Sequence, residues 1–213
     1  MATYDLEEQE QLAELKAWWK QYGNLVFALV IAALLVLAAW NGWRWHQRSQ
    51  AAEAGMYFDT VQKAARANDL KALRDAAGTI LEKFPGTAFA PLAALVSARA
   101  HFQSGDLKTT RAQLQWAVDH AKHDEVRWIA RLRLASASID DGAFDEALKV
   151  LDPPPAKGFE SLVPAMRGDI FAAQNKPVEA VAAYKSALEK AETGDTALRE
   201  SIKFKLDALG GAL

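Results

Sequence analysis

The chain begins polar and acidic, turns abruptly apolar, and then settles into a long run in which apolar residues recur at three- and four-residue spacing. Gln21 to Trp43 holds 23 residues without a formal charge, bounded by Lys20 and Arg44, and Leu25 to Ala39 within it is fifteen consecutive apolar residues. As a helix rising about 1.5 Å per residue, Tyr22 to Trp43 spans roughly 32 Å, close to the hydrocarbon thickness of a bilayer. Aromatic residues crowd both ends: Trp18, Trp19 and Tyr22 before, Trp40, Trp43 and Trp45 after. Amphipathic rings settle at headgroup level, so these six are the expected membrane-interface residues. A buried core helix has no need of two aromatic belts at bilayer spacing. A cleaved signal peptide starts basic and ends at small residues. Here Asp5, Glu7, Glu8, Glu10 and Glu14 outweigh Lys16 and Lys20, and bulky Trp40 and Trp43 follow Ala39. The pattern predicts a tail over residues 1–20 and an uncleaved transmembrane helix over 21–43. Asp5 with Glu8 resembles a capping box, and Leu12, Leu15 and Trp19 share one helical face. The tail is therefore either an amphipathic helix lying on the membrane or a partner, or a plain continuation of the membrane helix.

Residues 44–213 are expected to be all helical, as in the spacing of Val178, Val181, Tyr184 and Leu188. Asp141-Gly142 could suggest a hairpin of strands, but helical periodicity flanks it on both sides. Asn68, Gly105, Gly142 and Asn175 punctuate this region at intervals of 37, 37 and 33 residues. Each marks a helix, a tight turn that needs a residue tolerant of left-handed backbone, and a second helix packing back. A helix pair per 33 to 37 residues is the signature of an α-solenoid. The units fall at about 51–86, 87–123, 124–155 and 158–193. A capping helix follows over 195–209, with Leu198, Ile202, Leu206 and Leu209 on one side. Pro153, Pro154 and Pro155 are expected to cut the third pair short, because proline removes a helix hydrogen bond and clashes with the preceding turn.

The unit G-x-[aromatic]-x-x-A-[aliphatic] with a later Ala-Leu resembles the tetratricopeptide repeat. Asn175 to Leu188 fits best, through Ala180, Tyr184, Ala187 and Leu188, with Gly168 as the small residue where paired helices touch. Gly142, Phe144, Ala147 and Leu148 fit next. The first two units depart from the pattern, since Val61 and Ala98 stand at the Gly position and Thr110 replaces the Ala. The whole layout resembles the YfgM family, the ancillary subunit of the bacterial SecYEG translocon. The acidic tail, the Leu15-Lys16, Trp18-Trp19 and Tyr22-Gly23-Asn24 approach, one membrane helix, the WRWHQR stretch and four degenerate repeats all take part. That resemblance implies a bacterial inner-membrane protein with a cytoplasmic N-terminus and a periplasmic repeat domain. It also implies SecYEG and a PpiD-type periplasmic chaperone as partners, and a cytoplasmic stress-response regulator as a further partner of the tail. Charge alone does not choose an orientation: Lys16 and Lys20 precede the membrane helix and Arg44, Arg48 and Lys63 follow it.

Composition narrows the chemistry. The net charge of −2 argues against nucleic acid as a partner. Zero cysteines exclude disulfides, thiolate zinc sites and a Cys nucleophile. Beyond Trp43, 23 Lys and Arg face 22 Asp and Glu, so the repeat region is close to neutral. Nucleotide-binding, hydrolase and metalloprotease motifs are missing. Three-residue spacing puts His120 and His123 on one helix face, but a zinc site needs further ligands, and a solvated helix end accounts for them. Ser97, His101 and Asp106 carry triad letters that one helix and turn are not expected to present in triad geometry. No catalytic residue, cofactor or metal is expected.

Binding is the better class. The first helices of the pairs carry Phe58, Leu92, Leu95, Arg99, Phe102, Ile129, Leu132 and Ile139. Some of these are core, and the surplus of large apolar side chains over what a thin stack buries could form an exposed groove rimmed by Arg99, Arg131 and Arg133. The expectation is a non-enzymatic, membrane-anchored scaffold of the Sec translocon, the alternative being a repeat scaffold for another envelope assembly.

Overall fold

A computed structural model describes residues 3–192 and 195–210, with side chains from Glu10 onward. Among these residues every regular element is an α-helix: α1 Thr3–Arg66, α2 Leu70–Lys83, α3 Phe89–Gln103, α4 Leu107–His120, α5 Asp124–Asp140, α6 Phe144–Val150, α7 Leu162–Ala173, α8 Pro177–Lys190 and α9 Thr196–Ala208. The chain divides into two compact units, Met1–Ser49 and Gln50–Leu213.

In the first unit, α1 runs without a break from the tail through the apolar segment, so the tail continues the membrane helix. The side chains of Asp5 and Glu8, and with them the capping box, lie outside the described residues. Leu25, Phe27, Leu34, Leu35 and Val36 are all more than half exposed. A helix that is apolar all round suits lipid, and α1 is long and apolar enough to cross a membrane. Trp18 stacks obliquely on Tyr22 at 5.8 Å, and Trp40 meets Trp43 edge-on at 6.2 Å.

The second unit is built by one repeated turn. Asn68, Gly105, Gly142 and Asn175 have φ of 54°, 81°, 70° and 59°. Left-handed backbone at these points lets the next amide reach back five residues. Asp69, Asp106, Ala143 and Lys176 N–H groups donate to the carbonyls of Ala64, His101, Ser138 and Phe171 at 2.8–2.9 Å. This closes the orphan carbonyls at the helix end. Those same four residues are the N-caps of the next helix. In the first two turns the cap is an aspartate, which accepts from Ala72 N and Thr109 N at 3.0 Å. In the fourth, Pro177 at the start of α8 presets the helical φ instead.

Each helix packs on its chain neighbours, and the first helices of successive pairs also touch, α3 with α5 and α5 with α7. The apolar interior is accordingly a row of local cores. Val61, Leu73, Ile80 and Phe84 fill the first. Leu95, Leu114 and Leu134 fill the second. Trp128, Leu151, Val163 and Ile170 fill the third, and Tyr184, Ile202 and Leu206 the fourth. Every core draws on three consecutive helices, which is nearest-neighbour stacking.

Two local features set the C-terminal end apart. At Gly168 an added Cβ would lie 2.4 Å from the ring of Tyr184, so only glycine admits this approach of α7 to α8. Above it, the Tyr184 hydroxyl donates to Asp169 Oδ1 at 2.7 Å, and Lys205 of α9 reaches the same carboxylate at 2.6 and 2.9 Å. Burial, and then the Asp169 carboxylate, push the Tyr184 phenol above its ordinary pKa. Also, α6 is seven residues long and stops before Pro153. Val178 departs from the expected apolar stripe: it is exposed, because the buried face of α8 runs through Ala180, Tyr184 and Ala187.

Candidate partner-binding groove

The uncovered sides of α1, α3 and α5 form an open groove of about 540 Å³. Phe58 and Arg66 come from α1, Leu92, Leu95 and Arg99 from α3, and Ile129 and Arg133 from α5. An adjoining depression of about 270 Å³ shares Arg99 and Arg133 and adds Phe102, Thr110 and Leu114. Leu92, Phe102 and Ile129 are 38%, 43% and 37% exposed, whereas Leu95 is buried and forms floor. Large side chains half open to water at one place are a typical interaction surface.

Leu132 and Ile139 do not take part. Both pack on the third core, around Trp128, Ala135 and Ala147. On α5, Ile129 and Arg133 are four residues apart and share a face, while Leu132 is rotated toward α6 and α7. Arg131 is likewise not a rim residue. It lies over the Trp128 ring at 5.3 Å and donates to the Val150 carbonyl at 2.9 Å, closing the end of α6. Burial, followed by repulsion from Arg127, lowers its pKa. Arg66 belongs to the groove although the sequence does not single it out. In sequence it is a basic residue in the last turn before Asn68, where a cation favours the helix dipole anyway, so nothing marked it.

The groove arginines differ from most other arginines of the repeats in what they bond. Arg66 donates to Gln62 Oε1 at 3.3 Å. Among the described residues neither it nor Arg99 nor Arg133 forms an ion pair, and no acidic residue lines either depression. A cleft of about 780 Å³ between α4, α5 and α6 holds both signs, and its Arg111 is bonded to Asp141 and Glu146.

The histidines separate. His120 ends α4, stacked on Trp116 at 4.2 Å and donating from Nδ1 to the Trp116 carbonyl at 2.9 Å. His123 is the N-cap of α5, so the two do not share a helix face. His101 and Asp106 approach each other without forming a triad: the turn at Gly105 brings Asp106 Oδ2 to 3.4 Å from His101 Nδ1, beyond good hydrogen-bond length. Ser97 and His101 are each 1% exposed, so no substrate reaches them. Asp106 also caps Thr109. Burial lowers the His101 pKa, partly offset by Asp106, and the bonds from Thr109 lower that of Asp106.

Left-handed turns at repeat spacing, three-helix cores in a row and a closing helix define a repeat protein of the tetratricopeptide class, and the tetratricopeptide repeat-like domain family matches residues 16–211. The chain is 30% identical over 205 residues to the ancillary SecYEG translocon subunit of Neisseria gonorrhoeae, covering 96% of this chain and 98% of that one. It is 27% identical to the protein of the same name from Haemophilus influenzae, covering 97% and 100%, and 24% identical to that of Escherichia coli, covering 98% and 99%. The chain belongs to this family, the YfgM family, within the tetratricopeptide repeat-like proteins.

Proposed function

We propose that this protein is a non-enzymatic ancillary subunit of the Sec translocon, held in the bacterial inner membrane by α1 and gripping partner proteins with the groove between α1, α3 and α5. The near end-to-end likeness to relatives of that name, spanning membrane helix and repeats together, carries the reading. A groove lined mainly by arginine and apolar side chains, with Gln103, Thr110 and Ser136 and no histidine or carboxylate among the lining residues, supports holding rather than chemistry. The family resemblance supports an N-terminus in the cytoplasm, a periplasmic repeat domain and a PpiD-type chaperone as second partner. Its role is then to keep chaperones beside chains that emerge from the translocon. Affinity purification of the full-length protein from mild detergent tests this. Co-purification of SecYEG with a PpiD-type chaperone is expected, and a different stable complex in their place overturns it. A reporter fused after Leu213 is expected to read periplasmic; a cytoplasmic readout removes the periplasmic role.

A further inference from the structure

Resting on that reading, we propose that the groove selects a partner segment in which carboxylates alternate with bulky apolar side chains. Three arginines, Arg66, Arg99 and Arg133, come one from each of the three helices that build it. They stand 33 and 34 residues apart in a region that is otherwise close to neutral. Elsewhere in the repeats the described arginines are mostly occupied. Arg111 pairs with Asp141 and Glu146, and Arg127 bonds Asp124 and the Ala121 carbonyl. Arg131 and Arg167 close the end of α6, and Arg199 that of α8. Arg99 and Arg133 have no internal acceptor among the described residues and Arg66 bonds only the neutral Gln62, so all three guanidinium groups can make planar, bidentate contact with an incoming carboxylate. Between them Phe58, Leu92, Phe102 and Ile129 offer apolar contact that a free anion or a lipid headgroup would not use. Charge and apolarity therefore have to arrive on one peptide.

The test uses the full-length protein in detergent and a short fluorescent peptide in which glutamate alternates with leucine and phenylalanine. A second peptide carries lysine at every glutamate. Fluorescence anisotropy is expected to show the glutamate peptide binding at least about tenfold tighter than the lysine peptide, and weakening with salt. In Arg99→Glu/Arg133→Glu the preference is expected to reverse, an outcome that a misfolded variant would not give. Lys108→Glu, in the cleft between α4 and α6, is expected to change nothing. Equal binding of both peptides overturns the proposal. So does loss of the glutamate peptide's advantage to phosphatidylglycerol micelles that occupy the arginines in its place. If SecYEG co-purifies with the wild-type chain while the peptides show no charge preference, the scaffold reading stands and the selectivity falls. Selective peptide binding without SecYEG co-purification supports the selectivity and removes the translocon reading.

Discussion

The first three helix pairs and the last one share a turn, a stacking mode and a core plan, yet the groove face of the former and the closed end of the latter use their cations in opposite ways. Toward the N-terminal side of the repeats, Arg66, Arg99 and Arg133 are left without an ion pair beside half-exposed Leu92, Phe102 and Ile129. At the C-terminal end, Lys205 is tied to Asp169, Arg199 bonds the Leu188 and Ala191 carbonyls, and glycine admits Tyr184 against α7. A stack of hairpins has to end somewhere, and an end must cover its apolar face without inviting another copy. The difference separates a region whose side chains serve the fold from one whose side chains are held back from it.

That division predicts that substitutions at the closed end are costly to stability and those in the groove are nearly silent. The largest effect is expected for Gly168→Val, where added carbons collide with the Tyr184 ring. Thermal unfolding should show a loss of about 3 kcal/mol. Asp169→Ala strips the shared acceptor from Tyr184 and Lys205 and is expected to cost about 2 kcal/mol in the same measurement. Asp69→Ala removes a cap bond from α2 and is expected to cost about 1 kcal/mol. Acidification sharpens the comparison further. Because the folded His101 pKa lies below its ordinary value of 6.5, the unfolded chain takes up the proton first, so stability is full above about pH 6.5 and falls as the pH drops below it. Asp106 adds a loss of the same sign below its ordinary value of 3.8. His101→Leu is expected to flatten the upper part of that fall in melting temperature against pH. Smallest of all, Arg99→Glu/Arg133→Glu is expected to leave the unfolding free energy within about 0.5 kcal/mol of wild type while abolishing capture of partners. A melting temperature lowered as far as by Asp169→Ala would erase the distinction between the two regions.

Much of this fold is legible in the residues because each turn is chemically marked. Asn68, Gly105, Gly142 and Asn175 are small or amide residues at repeat spacing, and the left-handed backbone they tolerate is what they adopt. Gly168 against Tyr184 could be read the same way, since one position needs to be empty for the other to be filled. Groove residues were harder to read. Ile129 and Leu132 look alike in sequence, and only the rotation of α5 within the stack decides that one faces the groove and the other a core. Arg131 and Arg133 are equally close to it in number, but the truncation of α6 leaves carbonyls that draw Arg131 away. Val178 is exposed because packing on α7 and α9 centres the buried face of α8 on Ala180, Tyr184 and Ala187, with Val181 and Leu188 at its edge and Val178 beyond it. The meeting of His101 with Asp106 depends on the reach of a turn, which helical spacing does not describe.

The turns also determine where this protein accepts additions. At Asn68, Gly105, Gly142 and Asn175 the residue that ends one helix is followed at once by the N-cap of the next, so an inserted residue has no slack to occupy and would rotate everything after it. Beyond α6 the chain runs from Asp152 to Glu160 free of helix, past three consecutive prolines. An epitope tag or a probe for following the protein in cells belongs after Pro155, where the repeat rhythm is already interrupted.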